Sequence, residues 1–233
     1  MTPSTTELTL AGLRTLAVGE PDAPRVVVLA HGFQMTPEDL APFAHALGLP
    51  AWFLFPEAPL PAAPRGRAWW HIDPAARAAS MALGPRDFAL QHPPDLPAAR
   101  ARFGHFLDTV TELAGRRPLI VGGFSQGGMV TVDTLLHTGR RPDGLVLFSS
   151  SRVAFDEWEP LLRGGALRGV PTLITHGIGD PDLAFAAGEA LRDATLAAGA
   201  AVTWRPFDGG HEIPLVAWRA LRKWLIGSPL PGT

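Results

Sequence analysis

The chain contains neither cysteine nor tyrosine. Without cysteine it has no disulfide, no thiolate metal site and no cysteine nucleophile. Without tyrosine it has no phenolic hydroxyl to steady a developing anion. A basic excess is also missing: 20 basic and 22 acidic groups give a net charge of −2, which removes the electrostatic footprint of nucleic-acid or anionic-membrane binding. No apolar run approaches the roughly 18 residues that a membrane-spanning helix needs, and there is no internal repeat, charge block or long linker. The opening residues Met1 to Glu7 lack the charged and apolar regions of a secretory signal, so the expected location is cytoplasmic.

What is present suits a packed enzyme-sized unit. Apolar residues make up 46% of the 233 residues and charged residues 18%, a balance that supports a large core, and residues 1–233 are read as a single domain. Leu8–Val18 reads as one or two short strands, a hairpin at a sheet edge. Arg25–Ala30 carries the β-branched run Val26-Val27-Val28, typical of a buried parallel strand. Thr36-Pro37-Glu38-Asp39 starts a helix with a cap, a proline and first-turn acids. Strands follow at Ala51–Phe55, Pro118–Gly122, Gly144–Phe148, Val170–Thr175 and Ala201–Phe207. Helices are expected over Leu96–Ala114, from Gln126 to His137, over Leu183–Ala198 and over Ile213–Leu225. Residues 56–97, rich in proline and with Arg65-Gly66-Arg67-Ala68-Trp69-Trp70 at their centre, read as irregular and as a partial lid. Short apolar strands alternating with helices predict an α/β fold, a doubly wound, mostly parallel sheet with helices on both faces.

Gly123-Phe124-Ser125-Gln126-Gly127 sits where the elbow strand meets the following helix. A G-x-S-x-G pattern in that context is a nucleophile elbow, a strained turn that lifts a serine hydroxyl above the sheet. Such a hydroxyl needs a base to take its proton and an acid to orient the base. In this arrangement the acid and then the base follow the serine along the chain. The loop after Val170–Thr175 offers Asp180 and Asp182. Asp180 is favoured because Pro181 can begin the next helix, although an aspartate before proline also serves as a plain helix cap; Asp182 is the fallback. His211, on the Gly209-Gly210 loop before the last helix, is the expected base. His31 and His176 precede glycines at strand ends, where an imidazole often fills a structural polar slot, and the other five histidines come too early in the chain. A tetrahedral intermediate needs two N–H donors. Gln126 supplies one at its helix N-terminus, and the loop His31-Gly32-Phe33-Gln34 supplies the other through Phe33. Gln34 is a weaker candidate for a side-chain contact.

These segments together resemble the α/β-hydrolase superfamily: His31-Gly32-Phe33, Gly123 through Gly128, His176 through Asp180, and Gly210-His211. The Phe-Ser-Gln-Gly-Gly elbow is similar to that of the phospholipase/carboxylesterase family, which includes acyl-protein thioesterases. The likeness spans about Val26 to Leu225. It implies Ser125 as nucleophile, Asp180 as acid, His211 as base and oxyanion donors at Phe33 and Gln126. It implies no metal and no organic cofactor, a small-molecule ester as the substrate, and a monomer or homodimer. Phe33-Gln34-Met35 and Glu212-Ile213-Pro214 depart from the usual family pattern.

Trp69 and Trp70 are candidate substrate-binding walls, or core packing for the long segment that carries them. Trp158 is a further candidate, in the loop after Gly144–Phe148. Arg65 and Arg67 either meet an anionic group or are simply solvated. The expected activity is carboxylic ester hydrolysis through an acyl-enzyme. An acyl thioesterase or lysophospholipase uses the same residues, and a non-catalytic ligand receptor on this fold is the alternative of a different kind.

Overall fold

The computed structural model describes residues 4–227. The first three residues of the opening segment, expected to carry no leader signal, therefore lie outside the described residues. In chain order the strands are β1 Thr5–Leu10, β2 Leu13–Val18, β3 Val26–Ala30, β4 Trp52–Pro56, β5 Leu60–Pro61, β6 Arg67–Ala68, β7 Leu119–Phe124, β8 Gly144–Phe148, β9 Pro171–Gly177 and β10 Ala201–Phe207. The helices are α1 Ala41–Leu47, α2 Pro74–Ala82, α3 Leu96–Ala114, α4 Gln126–Thr138, α5 Phe155–Arg163, α6 Phe185–Ala197 and α7 Leu215–Gly227.

Eight strands form one sheet in the order β1-β2-β4-β3-β7-β8-β9-β10. The β1–β2 and β2–β4 pairs are antiparallel and the rest are parallel. The expected edge hairpin is therefore present; it turns at Ala11-Gly12, both with positive φ. Because side chains alternate along a strand, β3 sends Val26 and Val28 into one core and Val27 and Leu29 into the other. The same split divides β8, with Leu145 and Leu147 on one side and Val146 and Phe148 on the other. The first core takes its cover from Phe103 and Phe106 of α3 and Val130 of α4; the second from Trp218 and Leu221 of α7. A sheet buried on both faces leaves only the strand ends for a site, and β3, β7, β9 and β10 open their C-terminal ends on one rim.

Three expectations need correction. Thr36 does not open a regular helix. Pro37–Asp39 make a single 3-10 turn, tied by Thr36 N–H to Asp39 Oδ2 at 2.8 Å, and α1 begins only at Ala41. Pro42 explains the break, since it has no N–H to continue an α-helical ladder from Glu38. Residues 56–97 are not irregular throughout. They hold the β5–β6 hairpin and α2, whose N-cap Asp73 accepts the Ala76 N–H at 2.7 Å with Pro74 in the first turn. Trp158 lies on α5, not in a loop; it is wholly buried and its indole N–H donates to Asp133 Oδ1 at 2.9 Å.

Candidate active site

Ser125 joins β7 to α4 with φ 52° and ψ −119°, a conformation that costs a non-glycine residue about 1–3 kcal/mol. The surroundings hold it there. Its N–H donates to Phe148 O on β8 at 2.9 Å, and its carbonyl accepts from Gly128 and Met129 in the first turn of α4 and from Ser150 Oγ at 3.1 Å. The turn is tight enough to exclude side chains on either side. A Cβ on Gly123 would lie 2.5 Å from the Gly127 carbonyl carbon, and a Cβ on Gly127 would lie 2.5 Å from that of Ala30.

Two loops, from the ends of β9 and β10, meet this serine. His211 Nε2 accepts from Ser125 Oγ at 2.9 Å, and its Nδ1–H donates to Asp180 Oδ2 at 2.7 Å. The other oxygen of Asp180 accepts the backbone N–H groups of Asp182 and Leu183, each at 2.8 Å. Both oxygens are thus fixed, and the carboxylate is buried. Of the two aspartates, the favoured Asp180 touches His211, whereas the fallback Asp182 turns away to pair with Arg77 and Arg86. Burial pulls the Asp182 carboxyl pKa upward, but the bonds to these arginines outweigh it and hold the group below its ordinary value.

Phe33 and Gln126 both flank the cavity that contains Ser125 and His211. Neither backbone N–H has an acceptor among the described residues, so both are free for an oxyanion. The Gln126 side chain does something the sequence did not announce. Its Oε1 accepts the Trp69 N–H at 2.8 Å and its Nε2 donates to the Trp70 carbonyl at 3.0 Å. One amide thereby clamps the Trp-Trp segment to the start of α4. Trp69 is 0% exposed, donates its indole N–H to His31 O at 3.0 Å and packs on Phe103; it does not line the cavity. Trp70 does line it, with Ile72, Phe88, Met129 and Leu183. The Gln34 side chain donates to the Ala63 carbonyl and stays out of the cavity. Arg65 reaches toward Asp39, and Arg67 binds the carbonyls of Ala58 and Pro59; the guanidiniums at the cavity are instead those of Arg77 and Arg86.

The enclosed space at Ser125 is small, about 70 Å³. Beyond Trp70, Ile72, Arg77, Arg86 and Phe88, which line both, lies a larger cavity of about 360 Å³ that reaches α2 and Pro93-Pro94. Among the described residues no group of three or more His, Asp or Glu side chains is placed to hold a metal ion, and no helix is long and apolar enough to cross a membrane.

Two buried histidines support the site without facing its cavity. His176 places Nε2 3.1 Å from Leu183 O and 3.4 Å from Asp180 Oδ2, and burial lowers its pKa. It backs the aspartate as a neutral ring; a Cβ on Gly188 would lie 2.7 Å from its Cγ. His31, wholly buried, accepts the Ala58 N–H on Nε2 at 3.0 Å, so its proton sits on Nδ1 and is donated to Gly32 O at 2.8 Å. Burial pushes its pKa down to about 4. Between that value and the unfolded value near 6.5, the unfolded chain binds a proton that the native one does not. Stability therefore rises with pH across this window and falls on acidification. Urea titrations should lose roughly 3 kcal/mol between about pH 6.5 and pH 4 from His31 alone. His31→Gln, which can keep both hydrogen bonds, should flatten the slope; an unaltered slope in that variant would assign the acid lability elsewhere.

A parallel sheet with an antiparallel edge, helices on both faces, and a serine on a strand-to-helix elbow linked to histidine and aspartate on later loops define an α/β-hydrolase fold. Residues 96–226, more than half the chain, match the phospholipase/carboxylesterase family, and the chain belongs to that family. It is thereby a hydrolase of the esterase and thioesterase type. No curated protein sequence matches the chain. Among solved structures it is similar to esterase PE8, with 22% identity, a TM-score of 0.72, and 97% of this chain and 99% of that one covered. It is also similar to TT1662 from Thermus thermophilus, with 24% identity, a TM-score of 0.70, and 97% and 98% covered. A third similar structure is the Zea mays acyl-protein thioesterase 2, with 19% identity, a TM-score of 0.71, and 91% and 97% covered.

Proposed function

We propose that the protein is a serine hydrolase that cleaves carboxylic esters through an acyl-enzyme on Ser125. The observation that carries this reading is the unbroken hydrogen-bonded line from Ser125 Oγ through His211 to Asp180, at 2.9 and 2.7 Å, beside a cavity. His211 Nε2 takes the hydroxyl proton as Oγ attacks the ester carbonyl. Asp180 keeps the imidazole proton on Nδ1 and stabilises the imidazolium that forms. The negative oxygen of the tetrahedral intermediate accepts the free N–H groups of Phe33 and Gln126, the latter reinforced by the positive end of α4. Collapse breaks the bond to the leaving alkoxide, which receives the proton from His211. A water then repeats the sequence on the acyl-enzyme and releases the acid.

The small space at Ser125 supports short acyl groups, with the larger portion of the substrate beyond Trp70. The test is a series of p-nitrophenyl esters from acetate to decanoate, with an acyl thioester alongside and a fluorophosphonate label in parallel. Turnover highest on the short esters and labelling at Ser125 are expected. No turnover together with no labelling would overturn the hydrolase reading in favour of a ligand receptor.

A further inference from the structure

The steps above leave one feature of the cavity unused, its charge. Arg77 on α2 and Arg86, in the stretch after α2, line both the space at Ser125 and the larger cavity beyond it. The two guanidiniums converge on a single carboxylate: Asp182 pairs with Arg77 at 2.5 Å and with Arg86. Within this trio two guanidiniums share one carboxylate. The Arg86 side chain is only 10% exposed, and its Nε–H is buried with no acceptor among the described residues. An unpaired buried donor is costly and calls for a reason. Each guanidinium also lies over an aromatic ring of the cavity wall, Arg77 at 5.8 Å from Phe33 and Arg86 at 4.7 Å from Phe88. Each ring face attracts the cation above it and helps to hold the guanidinium at the cavity wall. Asp73, the carboxylate lining the larger cavity, is exposed and accepts the Ala76 N–H at the start of α2. His92, on the same wall, faces Asp156 and Glu157.

We propose that Arg77 and Arg86 form an anion subsite, and that the preferred substrate is an ester carrying a carboxylate a few bonds from the reacting carbonyl. Guanidinium N–H groups match a carboxylate edge, and two guanidiniums that share one carboxylate leave N–H groups for a second. The proposal rests on the hydrolase reading and specifies its substrate class.

The experiment compares isosteric pairs on the purified protein. Monoethyl succinate and ethyl succinamate place the charge on the acyl side; 4-acetoxybenzoate and 4-acetoxybenzamide place it on the leaving group. In at least one pair the charged ester should show kcat/KM about tenfold above its neutral partner, a modest value for one charge-assisted hydrogen bond. That ratio should fall toward one in 1 M salt, where the Debye length is about 3 Å, and in both Arg77→Gln and Arg86→Gln. Arginines that merely hold the loop in place would lower both members of a pair alike and leave the ratio intact. A wild-type ratio at or below one in both pairs, or a ratio unchanged in both variants, overturns the subsite. Calorimetric binding of the same esters to Ser125→Ala keeps the two readings apart. Charge-selective binding supports the subsite even if nothing is hydrolysed, and equal binding of charged and neutral partners counts against it.

Discussion

Ser125→Ala should lower kcat on the best p-nitrophenyl ester by about 10⁵- to 10⁶-fold, the scale seen when a serine nucleophile is removed and only oxyanion stabilisation and binding remain. Fluorophosphonate labelling should vanish with it. The fold should survive, because alanine meets the same backbone strain at φ 52° and loses only the bond to His211 Nε2. Gly123 and Gly127, which make the turn possible, are untouched. The melting temperature should therefore move by no more than a few degrees. An alanine variant that keeps activity within tenfold of the parent would remove Ser125 from the chemistry.

Asp180→Asn should cost about 10⁴-fold in kcat, and the structure gives a specific reason. Oδ1 of Asp180 accepts two backbone N–H groups, from Asp182 and Leu183, while Oδ2 accepts from His211. An amide has one carbonyl oxygen. The two backbone donors claim it, leaving the NH₂ group facing His211 Nδ1. That nitrogen must then accept, its proton moves to Nε2, and Nε2 can no longer take a proton from Ser125. Asp182→Asn leaves this line intact. Its effect on turnover of a neutral ester should stay within about tenfold, while stability falls by roughly 3 kcal/mol as two partly buried guanidiniums lose their carboxylate. Steady-state kinetics and urea unfolding on the two variants separate the roles. Equal kcat losses would reject the assignment of Asp180 as the partner of His211.

The parts of this molecule that are written locally could be read from the sequence. The elbow announces itself because both glycines lie within two residues of Ser125. The parallel strands announce themselves as short β-branched runs, and the chain order of serine, aspartate and histidine follows from the loops that end them. The parts that depend on distant partners could not be read. Gln126 was read for its backbone N–H alone; the bonds of its side chain to Trp69 and Trp70, 57 and 56 residues away, were not legible. Trp69 looked like a wall and is core; the same clamp turns Trp70 to the cavity. Asp180 was favoured over Asp182 from its place before Pro181, but the claim of Arg77 and Arg86 on Asp182, across about a hundred residues, was not legible. Helix α2 was legible in its Asp73-Pro74 start and was masked by the prolines around it. Helix α5 was not: it begins after Ala154 in a left-handed conformation, with no capping side chain, and carries Pro160 inside.

Arg86 does more than bring charge to the cavity. Its N–H donates to Asp182 O at 2.8 Å, and its carbonyl accepts from Ala184 N–H at 2.9 Å, so the stretch after α2 is stitched by its backbone to the loop that carries Asp180. For anyone exchanging parts between relatives, residues 72–88 and 180–184 are therefore one module. Transplanting the first without the second would leave Asp182 facing arginines it was not fitted to, two residues from Asp180. A lineage that remodels this wall to suit a new substrate has to carry its acid loop with it.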